Sequence, residues 1–165
     1  PKPLVYFAVG SSGNRDLVLD VLRGLGRADC QVLAPVRSHL HQEDLETLPH
    51  NIHVTDWIPT HQLGDAVDLA ITHGGEGTVQ TSCVQGWPFI GIPLQLEQRF
   101  NVQRCVAFGS ARLVSQKEAR RADWAALVRE ALADDVMRSR ARRMAKLMKG
   151  LDGPGRAAEA ICKLL

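Results

Sequence analysis

Long apolar runs, paired cysteine spacings and a surplus of one charge are all missing from this 165-residue sequence. No hydrophobic stretch reaches the roughly 20 residues that a membrane-spanning helix needs, and no secretory signal is visible. Lysine and arginine number 20 against 18 aspartates and glutamates, so the overall charge gives no argument for a nucleic-acid or membrane partner. These absences leave an ordinary globular chain, and its length suits a single domain, residues 1–165, with its own core.

Neither the cysteines nor the histidines have the spacing of a metal site. The cysteines are scattered without a redox or zinc pattern, so we expect reduced thiols packed in a core and a cytoplasmic location; they are Cys30, Cys83, Cys105 and Cys162. The histidines between residues 39 and 53 have no carboxylate or cysteine at ligand spacing. We therefore expect no metal or cofactor, and we interpret residues 39–49 as a solvated connection.

Strand-like and helix-like segments alternate along the chain. Apolar runs without polar alternation predict buried parallel strands at residues 4–9, 31–36, 52–55, 68–72, 89–92 and 111–114. Helical spacing or capping predicts helices at residues 16–26, 79–85, 97–108, 122–133 and 156–165, with another along a methionine stripe from Met137 to Met148. The pattern predicts an α/β fold, a Rossmann-like doubly wound parallel sheet with helices on both faces.

A glycine-rich turn at residues 73–78 (HGGEGT) joins a predicted strand to a predicted helix. The first N–H groups of a helix lack intrahelical partners, and glycine lets a phosphate approach the backbone. Thr78 adds a hydroxyl and His73 a ring nitrogen, so the turn has the groups of an anion site. The alternative is a tight turn of any α/β protein in which His73 is an interior residue.

Several separated motifs agree in order with a known family. They are WIP at residues 57–59, HGGxGT at 73–78, GWP at 86–88, and EQ at 97–98 followed by Asn101. This series resembles the donor-binding signature of glycosyltransferase family one, the UDP-glycosyltransferase-like enzymes of the GT-B fold. The HGGxGT form is most similar to the bacterial members that decorate natural products, and the resemblance covers nearly the whole chain.

The resemblance implies that this chain is the C-terminal, donor-binding half of an inverting glycosyltransferase. Such an enzyme transfers a sugar from a nucleotide diphosphate sugar to an acceptor hydroxyl without a metal. The general base belongs to the N-terminal acceptor domain, so no catalytic residue is expected in this chain. Because the sequence begins Pro1-Lys2-Pro3 without Met, we expect a fragment of a longer protein. Because the acceptor domain is absent from it, we expect that the fragment does not transfer sugar alone.

The resemblance also assigns roles within the chain. Trp57 stacks on the nucleobase and the backbone of Ile58 reads the base edge, while Glu97 and Gln98 bind sugar hydroxyls. The diphosphate is expected against Ser11, His73, Gly75, Gly77 and Thr78. Three alternatives remain open from the residues themselves: Trp57 as a core anchor, Ser11 as a solvent-exposed turn residue, and Glu97 as a helix-dipole partner.

The sequence departs from the family pattern at two positions. Pro59 is followed by Thr60 where many members have glutamine, so a glutamine contact with the donor is missing. Thr81 stands where many uridine-using members have a glutamate that binds both ribose hydroxyls. A threonine hydroxyl cannot replace a bidentate carboxylate, which favours a deoxythymidine over a uridine donor.

Competing nucleotide-binding classes fit poorly. The G-x-G-x-x-G fingerprint of dehydrogenases fails at both glycine turns, and no Gly-Lys-Ser or Gly-Lys-Thr of a P-loop occurs. Two alternatives stay open: a stand-alone donor-binding subunit that needs a separate acceptor-domain partner, and half of a GT-B sugar-nucleotide epimerase.

Overall fold

The computed structural model describes residues 1–164. Its strands are β1 (Leu4–Ala8), β2 (Gln31–Ala34), β3 (Ile52–Val54), β4 (Leu69–Thr72), β5 (Phe89–Gly91) and β6 (Ala111–Leu113). Its helices are α1 (Arg15–Leu25), α2 (Gln42–Leu45), α3 (Glu76–Gln85), α4 (Leu96–Phe108), α5 (Gln116–Ala119), α6 (Trp124–Leu132), α7 (Asp135–Met148) and α8 (Gly153–Cys162).

The six strands form one parallel sheet in the order β3-β2-β1-β4-β5-β6. In the central pair, Phe7 of β1 lies opposite Ile71 of β4, and Ile71 lies opposite Ile90 of β5. The chain builds outward from β1 to β3, then returns to the other side of β1 and builds outward again. The predicted doubly wound parallel sheet is therefore confirmed.

Two apolar layers cover the two faces of the sheet. Along β1, Val5 and Phe7 pack into the layer that contains α1 and α6, whereas Tyr6 and Ala8 face the layer of α3 and α4. Successive side chains of a strand point to opposite faces. A strand covered on both faces must therefore be apolar at every position, which explains the continuous hydrophobic runs in the sequence.

Most predicted elements are present with shifted ends. The strands are one or two residues shorter than predicted wherever their ends differ. Gly86 ends α3 in the left-handed region at φ 74°, as its glycine predicted. The larger shift is at the start of α3, which begins at Glu76 and not at residue 79, so Gly77 and Thr78 belong to the first helical turn.

The interpretation of residues 39–49 as a solvated connection is only partly right, because the segment is mostly exposed or half-buried but also contains a short helix and a buried carboxylate. The segment contains α2, and Asp44 within it is buried. The guanidinium of Arg15 in α1 donates to both carboxylate oxygens of Asp44, at 2.8 and 2.6 Å. This fork-to-fork ion pair attaches the segment to α1, and its two partners are 29 residues apart, beyond the reach of local patterns.

The C-terminal third differs from the prediction at its helix starts. The capping box of Ser115 and Glu118 is present, but it opens α5 as a separate four-residue helix. α7 buries Met137 and Ala141 as its stripe predicts. α8 begins at Gly153 and not at residue 156, because Asp152 caps it. α8 ends at Cys162, so the predicted helix is two residues too long within the described part of the chain, and its last position, Leu165, lies outside it.

Three cysteines are buried as expected, but Cys162 is exposed, so its predicted core role is wrong. The sulfur atoms of Cys83 and Cys105 lie 3.8 Å apart between α3 and α4. Within residues 1–164, no helix combines the length and the apolar character needed to span a membrane.

Candidate functional site

The site lies where the strand order reverses. β1 and β4 are neighbours, but the chain continues from them to opposite sides of the sheet. The connections therefore diverge and leave a crevice at the carboxyl ends of these two strands, where open α/β sheets bind ligands. The turn Gly10–Ser12 follows β1, and the turn from His73 to Gly75 follows β4.

The N-terminus of α3 opens into this crevice without a capping side chain. Gly75 is the N-cap residue, and no side chain accepts a hydrogen bond from the first turn of the helix. Gly77 lies in that turn, and a Cβ added there would meet nothing within 4 Å. The backbone N–H groups of the first turn are thus accessible, and the helix dipole adds partial positive charge at the same place.

His73 forms the floor of the crevice. It is 6% exposed, and its ring lies so close to Gly10 and Gly75 that an added Cβ would come within 2.8 and 2.4 Å of it, respectively. Burial lowers the pKa of the imidazole from its ordinary value of 6.5, so the neutral ring predominates at pH 7. Glycine at position 75 is required by this close contact, since its φ of −60° is ordinary.

The hydroxyl of Thr78 is engaged within the turn. It donates to the carbonyl oxygen of Gly75 at 2.9 Å and accepts from the hydroxyl of Thr72 at 2.7 Å. Thr72 in turn accepts from the N–H of Gly74 at 3.3 Å. This chain of hydrogen bonds stiffens the turn, and a bond from Thr78 to a ligand would require its hydroxyl to rotate away from Gly75.

Glu97 and Gln98 lie at the start of α4, but their surroundings differ. Glu97 is exposed, and its carboxylate accepts from the amide of Asn101, which also donates to the carbonyl oxygen of Gly74 at 3.1 Å. Gln98 is only 3% exposed, and its amide is bonded to the chain itself. Of the two residues predicted to bind sugar hydroxyls, Glu97 is thus the one open to solvent.

The residues predicted for the nucleoside end lie on the surface. The side chain of Trp57 is 78% exposed, so it is not a core anchor. Ile58 beside it is partly buried against the layer of α3 and α4. Thr81 is half-buried, donates to the carbonyl oxygen of Gly77 at 2.8 Å, and lines a shallow depression of about 180 Å³ with His61.

Ser11 is exposed in the turn after β1, and two contacts that the sequence did not predict hold this turn. His39 places its Nε2 at 2.7 Å from the carbonyl oxygen of Gly10. Ser12 accepts a hydrogen bond from Gln98 at 3.1 Å. The one signal for His39 was its position just after β2, because the carboxyl ends of parallel strands share an edge.

Larger hollows lie elsewhere on the surface. One of about 740 Å³ lies beside α5 and α6, and another of about 620 Å³ lies between β4, β5 and α7 at the opposite edge of the sheet. Neither contains the residues of the crevice. Because accessible helix N–H groups and a buried imidazole are more specific features than volume, we retain the crevice as the candidate site. Residues 1–164 contain no group of three metal-ligating side chains.

The doubly wound sheet with its crevice has the fold of one half of the GT-B glycosyltransferases. Structural comparison agrees on the fold. The calicheamicin glycosyltransferase CalG4 aligns with a TM-score of 0.84 at 23% identity, over 97% of this chain and 41% of that one. The spinosyn rhamnosyltransferase SpnG, crystallised with thymidine diphosphate, aligns with a TM-score of 0.79 at 17% identity, over 97% of this chain and 45% of that one.

Sequence comparison identifies the family. The family described as "Erythromycin biosynthesis protein CIII-like, C-terminal domain" matches residues 19–164, and the chain belongs to it. A PGL/p-HBAD biosynthesis glycosyltransferase of Mycobacterium tuberculosis (strain ATCC 25177 / H37Ra) is 28% identical over 145 residues, which cover 88% of this chain and 33% of that protein. The chain therefore spans about a third of the length of that relative, and the predicted resemblance to natural-product glycosyltransferases is confirmed.

Proposed function

We propose that this domain binds the nucleotide diphosphate sugar of an inverting glycosyltransferase whose acceptor hydroxyl belongs to a small natural product. The acceptor site and the general base are supplied by an N-terminal domain or by a partner subunit. Within this chain the diphosphate binds the first turn of α3, the nucleoside lies against Trp57 and Ile58, and the sugar reaches Glu97.

One observation carries the proposal: the uncapped N-terminus of α3 lies at the switch point directly above buried His73. In a glycosyl transfer the bond between the anomeric carbon and the diphosphate oxygen breaks, and negative charge develops on the departing diphosphate. Accessible backbone N–H groups, already oriented before the reaction, stabilise such charge without reorganisation. The turn at Ser11, across the crevice, supplies a further hydroxyl donor.

A buried neutral imidazole suits the same task. Its ring nitrogen donates a hydrogen bond without carrying a charge into a buried position, which would be costly. As two negatively charged phosphates approach, they favour the protonated ring, so the pKa of His73 would rise on binding. His73 would then strengthen its interaction as charge accumulates on the leaving group.

For the nucleoside we propose a deoxythymidine donor. An exposed indole such as that of Trp57 can stack on any base, so stacking alone does not select the nucleoside, and the contact with the pentose is a source of selectivity. Thr81, which bonds its own helix backbone, offers no carboxylate to ribose hydroxyls. The thymidine diphosphate bound to SpnG belongs to a protein of the same fold and supports this choice. No metal or cofactor is expected to take part.

Titration calorimetry on the 165-residue chain tests the binding. We expect thymidine diphosphate to bind more tightly than thymidine, because the α3 site recognises the diphosphate. We expect no sugar transfer by the chain alone, even with a donor and a simple phenolic acceptor. Equal affinity for thymidine and thymidine diphosphate would contradict the α3 site, and turnover by the isolated chain would contradict a base located elsewhere.

A further inference from the structure

A side-chain hydrogen bond connects two loops of the crevice that are 86 residues apart in sequence. Nε2 of Gln98, in the first turn of α4, lies 3.1 Å from Oγ of Ser12, in the turn after β1. β4 separates β1 from β5 in the sheet, and α4 follows β5. The bond therefore crosses the turn of His73 and Gly75 that carries the α3 site.

The direction of this hydrogen bond is fixed by its surroundings. Oε1 of Gln98 accepts from the backbone N–H of Leu94 at 2.9 Å and of Gln95 at 3.2 Å. A flipped amide would oppose N–H donors to N–H donors, so Nε2 must face Ser12. The hydroxyl of Ser12 therefore accepts, and its own proton remains available for another acceptor.

Ser12 and Gln98 each adjoin a residue that we assign to a different part of the donor. Ser12 follows Ser11, which we assign to the diphosphate, and Gln98 follows Glu97, which we assign to the sugar. We propose that Ser12 is a positioning residue that acts through Gln98 and fixes the distance between the diphosphate-binding and sugar-binding sides of the crevice. This inference rests on the proposed function of the same site.

Burial explains why the bond can hold the two sides together. Gln98 is 3% exposed, and Oε1 together with one Nε2 proton satisfies three protein groups, so its side chain has little freedom to move. Without the hydroxyl of Ser12, Nε2 loses its partner and the two loops lose their direct connection. The distance between the groups that bind the sugar and those that bind the diphosphate would then no longer be fixed.

The experiment compares three ligands on four variants of the chain by titration calorimetry. The ligands are thymidine, thymidine diphosphate and thymidine diphosphate glucose, and the proteins are the parent, Ser12→Ala, Ser12→Thr and the distant surface variant Ser139→Ala. In the parent, we expect the glucose to add affinity beyond that of thymidine diphosphate. In Ser12→Ala, this added affinity should fall by roughly threefold to tenfold, the size of one ordinary hydrogen bond.

The Ser12→Thr variant distinguishes a positioning role of Ser12 from a general loss of structure in Ser12→Ala. Ser12→Thr keeps the acceptor oxygen and should restore the added affinity, and Ser139→Ala should match the parent. Thymidine affinity should be the same in all four proteins, because Trp57 and Ile58, which we assign to the nucleoside, take no part in the bond. If the parent binds none of the ligands, the proposed function fails and this inference with it. If the parent binds but Ser12→Ala keeps the full sugar increment, only the role of Ser12 is overturned.

Discussion

The helices α3 and α4 both begin at the carboxyl edge of the sheet, after neighbouring strands, but their first turns are used differently. α3 starts at Gly75 with no capping side chain. α4 starts with a box in which Gln98 turns back onto the N–H groups before the helix. A side chain of α4 thus satisfies the two donors that lead into this helix, whereas no side chain accepts from the first turn of α3.

The other longer helices make the contrast sharper. A side-chain oxygen accepts a hydrogen bond at the start of each; the cap residues of α1, α6, α7 and α8 are Asn14, Asp123, Asp134 and Asp152. A capping residue typically contributes about 1 kcal/mol to stability. Glycine at the start of α3 forgoes a side-chain cap and clears the approach to the helix N-terminus.

The largest effect is expected from removing the imidazole below α3. His73→Ala should weaken thymidine diphosphate binding by about 1.5–3 kcal/mol, because a hydrogen bond to a charged group is lost, and should leave thymidine binding unchanged. It should also lower the midpoint of urea unfolding, since the ring is packed between Gly10 and Gly75. Calorimetry and urea titration measure the two effects.

The exposed His50→Ala is the matched control for His73→Ala and should change neither quantity. If His73→Ala binds the diphosphate as well as the parent does, His73 is a packing residue only, and the first turn of α3 acts without it.

Two glycine substitutions distinguish a glycine that protein packing requires from a glycine that leaves room for the ligand. Gly75→Ala should destabilise the fold by about 1–3 kcal/mol, because its Cβ would overlap His73. Gly77→Ala meets no protein atom and should keep or raise stability by up to about 1 kcal/mol. Both should weaken diphosphate binding. Urea unfolding with parallel calorimetry distinguishes them, and full diphosphate affinity in Gly77→Ala would argue against a phosphate on the first turn of α3.

These predictions depend on features that the sequence revealed only in part. Hydrophobic runs and glycine turns predicted the sheet and the α3 turn, because they reflect local periodicity and backbone freedom. The contact of His73 with Gly10 was not predictable, since it depends on two strands becoming neighbours. The same holds for the bond from Gln98 to Ser12, which no local pattern marks.

The sequence was also uninformative about which polar groups remain free. Gln98 and Thr78 have the residue types expected of ligand-binding groups, but both form hydrogen bonds within the protein. Only the three-dimensional structure shows that these groups already have hydrogen-bond partners within the protein. Trp57 is the opposite case, because the residue type alone favoured the core-anchor alternative, whereas the structure exposes 78% of it.

At the nucleoside end we expect an effect confined to binding. Trp57→Ala should weaken binding of thymidine and thymidine diphosphate equally, by about 1–3 kcal/mol for a lost stacking interaction. Its unfolding free energy should stay within about 0.5 kcal/mol of the parent, because the indole is exposed. Calorimetry and thermal melting test this, and Trp57→Phe should recover part of the affinity. A loss of stability with retained affinity would contradict the stacking role.

The smallest expected effect is on the preference between ribose and deoxyribose ligands. It tests whether α3, whose first turn we assign to the diphosphate, also selects the pentose. Thr81 lies one helical turn beyond Gly77, and its hydroxyl already donates to the Gly77 carbonyl oxygen. A ribose 2′-hydroxyl would therefore find no charged acceptor there, and water would take its place. We expect the parent to bind uridine diphosphate no more tightly than 2′-deoxyuridine diphosphate, a pair of ligands that differ only in this hydroxyl.

Thr81→Glu should shift that preference toward the ribose ligand by about tenfold or less, since a bond to a carboxylate is worth about 1.5–3 kcal/mol and replaces one to water. The neighbouring Gln80→Glu adds the same charge on the exposed side of α3 and should not change the preference, so it separates charge from contact. Titration of both ligands into the three proteins decides the question. A parent that clearly prefers the ribose ligand would show that another group replaces the missing carboxylate, and the argument for a deoxythymidine donor would then fail while the diphosphate site at α3 remained intact.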